Sequence, residues 1–271
     1  MLRPAVMLRT LRGQLPSLIL AAIGLAAFEM LIPVVFDAIG EDAAARFLDA
    51  APENVRDLME RQFGLIPTGS IEGWLGTASR HPIYLVLMCA VAIAAASGAV
   101  AREVERKTIL YVLTRPVSRT RFLLEKVAAT LLALAALAAL GLGAMILVTA
   151  LLGYAGGVDW MPFVWIALNA FLLFAAIAAI ATAASSMGST GGPVIAAGAG
   201  VSLASYFIDF LAGLWAAAEP VGPVSLFHYY NPSDVLLGGG IPWFGMGVLL
   251  AVTALGYAVA LVVFNRRDIS A

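Results

Sequence analysis

Charged residues are scarce in this chain. Only 12% of its 271 residues are Asp, Glu, Lys or Arg, whereas 62% are hydrophobic. A soluble domain carries about 25% charged residues. No soluble core could bury this much apolar surface, because surface area grows almost as fast as mass. The composition therefore predicts an integral membrane protein.

Cysteine and histidine are also rare, which limits metal and nucleophile chemistry. The one cysteine, Cys89, lies in an apolar run and cannot form an intrachain disulfide. The two histidines, His81 and His228, are isolated at predicted membrane boundaries. The sequence contains no G-x-x-x-x-G-K-[ST], no H-E-x-x-H and no C-x-x-C. We therefore expect no catalytic, metal or cofactor site in this chain and no nucleic-acid partner; any energy source must come from another chain.

Long apolar runs, by contrast, are abundant, and they predict six membrane-spanning helices. A spanning helix needs about 20 mostly apolar residues. The runs are continuous rather than alternating, which favours helices over a β-barrel. The first run is too long for the apolar part of a cleaved signal peptide, so we interpret it as a retained span. The predicted spans cover about residues 15–36, 83–100, 127–152, 162–184, 193–217 and 242–264.

The distribution of Lys and Arg predicts the orientation of these spans. Twelve of the 16 basic residues lie before the first span, in 101–126 or after the last span, and six spans place all three regions on one side. Basic residues concentrate on the cytoplasmic side, so both termini and 101–126 are predicted to be cytoplasmic. The loop 37–82 is then external, with one or two short amphipathic helices. Segment 218–241, broken by Pro and Gly, should form short re-entrant or interfacial helices.

Two acidic residues, Glu29 and Asp209, fall inside predicted spans at similar depth. Ionisable residues within the membrane are functional hypotheses by default, so both could line a transport pathway or a dimer interface. The other interpretation is that both lie near the headgroups and reach water. Because removing a buried charge relieves its burial cost, we expect either residue to be replaceable without much loss of folding.

The stretch 101–126, "AREVERKTILYVLTRPVSRTRFLLEK", gathers ten charged residues, seven of them basic, in one interior place. The pattern predicts a first helix over "REVERKTILYVL", a stop before Pro116, and a second helix that is capped by Ser118 and continues into the third span. Membrane anchoring alone would require neither Glu103 nor Glu105. We interpret the stretch as an ordered cytoplasmic elbow that docks a soluble partner.

The elbow residues divide into two predicted groups. Mixed charges with an apolar stripe behind them should face the partner, while basic residues near the second helix should hold the elbow to the anionic inner membrane surface. The first group is Glu103, Glu105, Arg106, Lys107, Thr108, Ile109 and Leu110, and the second is Arg115, Arg119, Arg121 and Lys126.

The elbow resembles the permease subunits of type-two ATP-binding-cassette (ABC) transporters, which typically read E-x-E-x-G-T-L-x-x-L-L-x-x-P-V-S-R-x-x-x-x-x-x-K. The likeness extends over most of the chain through the six spans, the long first external loop and the broken segment before the last span. One departure is Lys107, which stands where the family usually has Gly, so we expect a regular helix in place of a tighter turn. The matching residues are Glu103, Glu105, Thr108, Leu110, Leu113, Pro116, Val117, Ser118, Arg119 and Lys126.

The resemblance implies a non-catalytic membrane half-transporter of a prokaryotic cell membrane. Two copies, or this chain and a homologue, would form the transmembrane unit, and separate ATPase subunits that bind ATP and Mg would dock on the coupling helix at 101–118. In this family the first and fifth spans meet at the dimer interface, which would place Glu29 and Asp209 near a central path.

The leading hypothesis is ATP-driven export of a hydrophobic or amphipathic compound, such as a drug, an antibiotic or a lipid. One alternative is a permease for metalloenzyme maturation, of the copper or nitrous-oxide-reductase type. Another is a stand-alone ion-coupled transporter that uses Glu29 and Asp209. A membrane anchor or sensor would need a recognisable soluble domain, and the sequence contains none.

Overall fold

The computed structural model of the protein is a bundle of long helices. Within the described residues there is no strand, and six helices are long and apolar enough to cross a membrane. The predicted all-α fold with six spans is confirmed. The described residues are 5–40, 42–43, 46, 50–53, 56, 70–109 and 117–268.

Several helices extend beyond the apolar runs that predicted them. The first begins ten residues before the predicted span, because polar and basic residues continue a helix outside the hydrocarbon layer as readily as apolar ones do within it. The helices are α1 (Ala5–Ile39), α2 (Ile71–Arg80), α3 (Pro82–Ser97), α4 (Ala101–Glu105), α5 (Arg119–Leu151), α6 (Trp160–Met187), α7 (Gly191–Leu214), α8 (Pro232–Asp234) and α9 (Trp243–Arg266).

The second span is built from two helices, α2 and α3, which meet at His81. The backbone of His81 is extended, with a ψ of 137°, and its Nδ1 accepts a hydrogen bond from the Ile83 amide at 3.2 Å. Pro82 occupies the first turn of α3, where its missing N–H and fixed φ suit a helix start. Together α2 and α3 form an apolar segment of 27 residues, Ile71–Ser97.

The last part of the predicted external loop therefore belongs to the bundle. Helix α2 packs against α1, α3 and α6, and Leu75 and Ala78 on its inner face are fully buried. Its N-terminus is capped by Ser70, whose hydroxyl accepts a hydrogen bond from the Gly73 amide at 3.3 Å. The amphipathic pattern that predicts helices in this loop, at Phe47, Leu48, Val55, Leu58 and Met59, lies outside the described residues. Helix α2 was not predicted and is an integral part of the bundle.

Helix α6 lies at the centre and packs against α3, α5, α7 and α9. Small residues allow this close approach: a Cβ added to Gly256 of α9 would lie 2.9 Å from Ala179 of α6. A Cβ on Gly198 of α7 would lie 3.0 Å from Ile93 of α3, so this small residue serves packing within the chain. A Cβ on Gly200 would meet nothing within 4 Å, so that face of α7 is open.

The start of α1, the elbow, the α6–α7 connection and the end of α9 all lie at one end of the bundle, which we call the elbow end. The Val6 amide donates to Glu125 Oε2 at 2.8 Å, and Arg267 donates to the Gly188 carbonyl oxygen at 2.7 Å. Six spans, an even number, bring both termini to the same end of the bundle, and this grouping agrees with that. That the elbow end faces the cytoplasm remains a prediction.

The segment between α7 and α9 folds into short helical pieces at the opposite end, as predicted. They are two 3₁₀ segments, Ala216–Val224 and Phe227–Tyr229, then α8, and a π turn at Val235–Gly239. Phe227 and Tyr230 are buried in the core, and the Tyr230 hydroxyl donates to the Ser79 carbonyl oxygen at 2.8 Å. The segment is thus fixed to α2.

Candidate functional site

The elbow starts as one short helix, α4, which ends at a tight turn. Lys107 has a φ of 57°, in the left-handed region, and its amide donates to the Val104 carbonyl oxygen at 2.9 Å. The continuous helix predicted over "REVERKTILYVL" is therefore wrong, and so is the regular helix expected at Lys107. Lys107 thus forms a tight turn where the permeases it resembles usually have Gly, and a residue with a Cβ in this conformation costs about 1–2 kcal/mol.

A buried ion pair ties the elbow to the third span. Lys126 Nζ lies 2.6 Å from Glu103 Oε1 and donates to the Gly98 carbonyl oxygen at 3.1 Å. The other carboxylate oxygen, Glu103 Oε2, accepts a hydrogen bond from the Thr108 hydroxyl. Lys126 is only 6% exposed, so the role predicted for it as an anchor to lipid headgroups is wrong. Its ammonium holds α4 instead.

The environment of Glu103 keeps its carboxylate charged. Burial alone would raise the pKa of Glu103, but the Lys126 charge and the hydrogen bonds from Lys126 and Thr108 outweigh burial and hold that pKa below its ordinary value. Removing either member of the pair would leave the other buried without a counter-charge.

A second glutamate ties the elbow to the fifth span. Glu105 Oε2 accepts a hydrogen bond from the Gly191 amide at 2.8 Å, which places a negative charge at the N-terminus of α7, where the helix dipole favours it. A Cβ on Gly191 would lie 2.6 Å from Arg102 Cγ and 2.9 Å from Ser97 Oγ, so only glycine allows this approach.

Helix α4 is also bonded to the central span. The Ser185 hydroxyl on α6 accepts hydrogen bonds from the Val100 amide at 3.3 Å and the Ala101 amide at 3.0 Å. These amides belong to the first turn of α4, where a helix cannot satisfy its own donors. The elbow is thus attached to α5, α6 and α7 by three different side chains.

The residues predicted to face a partner separate into an outward and an inward set. Glu105, Arg106 and Lys107 are exposed, whereas Thr108 is half-buried. Ile109 is 1% exposed and packs in an apolar cluster with Phe122 and Phe264, among others. Leu110, together with Arg115 of the predicted anchoring group, lies outside the described residues.

Two further basic residues of the elbow make contacts within the chain. Arg119 donates to the carbonyl oxygens of Phe264 and Arg267, where α9 ends, and positive charge is favourable at a helix C-terminus. Arg121 forms an ion pair with Glu125 at 2.8 Å. Neither contact tests whether Arg119 and Arg121 also bind lipid, so their anchoring role stays a prediction. The predicted cap by Ser118 is confirmed, since its hydroxyl accepts from the Arg121 amide at 3.2 Å.

Asp209, at the end of the bundle opposite the elbow, is an ion-pair partner. Its Oδ2 lies 2.8 Å from an Arg80 guanidinium nitrogen, and both side chains are 12% exposed. Arg80 also donates to Asn231 Oδ1 at 3.2 Å, so it joins α2, α7 and the segment before α9. Sequence reasoning missed Arg80, although a single basic residue beside an apolar run is a recognisable signal.

Glu29 has a different environment from Asp209. It is 4% exposed and lines a cavity between α1, α2, α3, α5 and α6. Glu29 lines a cavity and Asp209 forms an ion pair, and a role for either residue in a transport pathway or a dimer interface stays a prediction.

These features define an α-helical membrane protein with a charged elbow that is bonded to three of its spans. The family model for the ABC-2 family transporter protein matches residues 17–269, so the chain belongs to that family. It is a multi-pass permease subunit of an ABC transporter in a prokaryotic cell membrane, and the family implies an ATPase subunit as partner. No curated protein matches the chain.

Proposed function

We propose that this chain is the permease of an exporter for a hydrophobic or amphipathic compound, and that a separate ATPase subunit drives it through the elbow. The observation that supports this most is the attachment of α4 to three spans. Lys126 on α5, Ser185 on α6 and Gly191 on α7 each bond to α4 or its first turn. A force on α4 would therefore reach all three spans.

The ATPase would bind ATP and Mg²⁺ in its own subunits and press on the exposed side of the elbow. Arg106 and Lys107 are exposed there, and they offer positive charge to an acidic partner surface. Such contacts set register and orientation more than raw affinity. The buried Glu103–Lys126 pair would carry the displacement to α5, because two charges held together in a low-dielectric interior do not separate easily.

The proposed substrate class rests on an apolar groove at the interface of α1 and α5. Its volume is ≈ 280 Å³, and apolar side chains form its lining. A groove of this kind, open on the side of the bundle, suits a compound that enters from the lipid rather than a sugar or an ion. The lining residues are Leu11, Leu18, Ile19, Ala22, Leu132, Ala133, Ala136, Leu137 and Leu140.

A second permease copy or a homologue would complete the transporter. Large apolar side chains are exposed on α1 and α7, including Leu20 at 73%, Ile23 at 61%, Leu203 at 56% and Phe207 at 55%. We propose that these faces meet the second permease, in agreement with the open face at Gly200. Family membership favours this ATPase-driven assembly over stand-alone ion-coupled transport.

The test is a charge reversal on the outward face of the elbow, made in the complex with its ATPase. The double variant Arg106→Glu/Lys107→Glu should insert into the membrane normally but recover much less ATPase on purification. Arg266→Glu is the matched control, because Arg266 is also exposed at the elbow end. If the double variant keeps wild-type ATPase recovery and ATP-dependent export of an amphipathic dye from vesicles, the elbow is not the docking site.

Substrate class is tested separately in vesicles that contain the wild-type complex. Amphipathic dyes should be moved in an ATP-dependent way and should stimulate ATP hydrolysis, whereas copper ions should do neither. Stimulation by copper alone would favour the metalloenzyme-maturation alternative.

A further inference from the structure

Glu29 is a carboxyl group in an apolar interior, about three-quarters of the way along α1. It is 4% exposed. Around it α5 contributes Ala138, Leu142 and Met145, and α6 contributes Phe163, Ile166 and Ala167. None of these side chains can solvate a negative charge. Moving an ionised carboxylate into such surroundings is expensive unless a counter-charge or several hydrogen bonds accompany it.

No such compensation is found in the part of the chain that the structure describes. No Lys, Arg or His there forms an ion pair with Glu29, and no hydrogen bond to its carboxyl is found among those residues. Arg80, at the end of α2, is already bound to Asp209.

The cavity beside Glu29 has room for about one water molecule. Its volume is ≈ 20 Å³, and a buried water needs about 10–15 Å³ together with two to four polar partners. Besides Glu29, the lining includes Tyr84 and Ser79. Tyr84 is 4% exposed, and no hydrogen bond from its hydroxyl is found among the described residues.

The titratable groups that face Glu29 are tyrosines. Tyr84 on α3 lines the same cavity, and Tyr230 in the segment before α9 is close to both residues. Tyr230 already donates its hydroxyl proton to the Ser79 carbonyl oxygen at 2.8 Å. Between α2 and α3, the ring of His81 packs on Phe28 with centroids 4.8 Å apart. The cavity lining from α5 and α6 contains no charged side chain.

We propose that Glu29 is a proton-binding site of the permease: in the conformation described it is a neutral carboxylic acid that shares the cavity with one water. Loading is a simple transfer, in which a hydronium ion reaching the cavity gives a proton to a carboxylate oxygen, leaving a neutral acid and a water molecule. The mostly apolar lining offers the proton few acceptors other than this water. Exchange with the outside requires an opening between α1, α2 and α6 that admits more water.

A proton-binding site goes beyond the proposed export function. It can be tested without a transported substrate. The purified protein in lipid is examined by infrared spectroscopy at neutral pH in light and heavy water. A protonated carboxyl gives a carbonyl stretch that shifts on deuteration, whereas ionised carboxylates do not contribute to it. We expect this band in the wild-type protein and its loss in Glu29→Gln. Asp209→Asn is the matched control and should keep the band, because Asp209 is ion-paired.

Glu29→Gln replaces a neutral acid with a neutral amide of the same shape, so we expect its melting temperature at neutral pH to equal that of the wild type. If that variant does not fold, Glu29→Asp keeps a protonated acid and should show the band at a shifted frequency. Absence of the band from the wild-type spectrum, or its survival in Glu29→Gln, would overturn the proposal. Loss of the band in Asp209→Asn with retention in Glu29→Gln would assign the proton to the other acid and would overturn it as well.

Discussion

The Glu103 carboxylate and the Lys126 ammonium are 23 residues apart in the chain and 2.6 Å apart in space. The pair fixes α4 against the beginning of the third span. In the proposed coupling role the elbow must transmit displacement, and a flexible loop of the same charge would absorb it. The inward bonds of Glu103 and Glu105 hold α4 to the bundle and so suit it to that role.

Breaking this pair should destabilise the permease strongly. Lys126→Met leaves Glu103 charged and partly buried, and we expect about 3 kcal/mol less stability, measured by unfolding in detergent. The double variant Glu103→Gln/Lys126→Met should recover part of the loss, because no charge is left unpaired. Arg121→Met is the control: its pair with Glu125 is a more exposed i,i+4 pair, for which we expect about 0.5 kcal/mol. Equal losses in Lys126→Met and Arg121→Met would contradict a special role for the buried pair.

The same pair predicts an acid-sensitive contribution to stability. Because the pKa of Glu103 is lowered in the folded protein, the folded state binds fewer protons at this site than the unfolded state does, and stability rises with pH. The contribution is complete above the ordinary value near 4.5 and is lost as pH falls through the lower folded value. We expect the melting-temperature difference between wild type and Glu103→Gln to be constant from neutral pH to about 5 and to shrink below 4. A difference that is independent of pH would contradict the assignment.

The ion pair between Arg80 and Asp209 leads to a prediction opposite to the one from sequence, which expects Asp209 to be replaceable without much loss of folding. Asp209→Ala should lower the stability of the permease by about 3 kcal/mol, because Arg80 would be left without its carboxylate. Adding Arg80→Gln should restore part of that stability. Glu219→Ala, an exposed acid of the neighbouring 3₁₀ segment, should have little effect in the same unfolding experiment. If Asp209→Ala unfolds at the wild-type temperature, the pair does not stabilise the fold.

The spans and the start of α5 could be predicted because their signals are local. Continuous apolar runs are long enough to cross a bilayer, and Ser118 immediately precedes a helical pattern, so its role as an N-cap follows from its position. The partner of Glu105 could not be predicted in this way. It is a backbone amide 86 residues away, and no sequence pattern marks which amide a carboxylate will reach.

Which oppositely charged residues form ion pairs could not be predicted from the sequence either. The sequence places Glu103 in a mixed-charge group that faces a partner and Lys126 in a basic group at the membrane surface, because charged residues are mostly exposed. The chain instead folds back so that the two are buried together. Arg80 and Asp209 are 129 residues apart in the chain. Tertiary packing, not local spacing, brings them together.

The orientation of the bundle is open to a direct measurement. In a Cys89→Ala background, Gly157→Cys should react with a membrane-impermeant thiol reagent in intact cells, and Arg106→Cys should react only after permeabilisation. Both positions are exposed, and a Cβ on Gly157 meets nothing within 4 Å, so labelling reports sidedness rather than burial. Labelling of Arg106→Cys from outside would invert the proposed topology.

The backbone conformation of Lys107 predicts how substitutions at this position change the stability of the permease. Its φ of 57° lies in the left-handed region, where a residue with a Cβ pays about 1–2 kcal/mol and glycine does not. Glycine loses more conformational entropy on folding, by roughly 0.5–1 kcal/mol. We therefore expect Lys107→Gly to stabilise the isolated permease by a few tenths to about 1 kcal/mol in detergent unfolding. Lys107→Val should destabilise it, because a β-branched side chain is disfavoured most at positive φ. Lys107→Asn should lie between the two, since Asn tolerates this region better than other residues with a Cβ. A lower stability for Lys107→Gly than for Lys107→Val would show that the turn is not strained in this way.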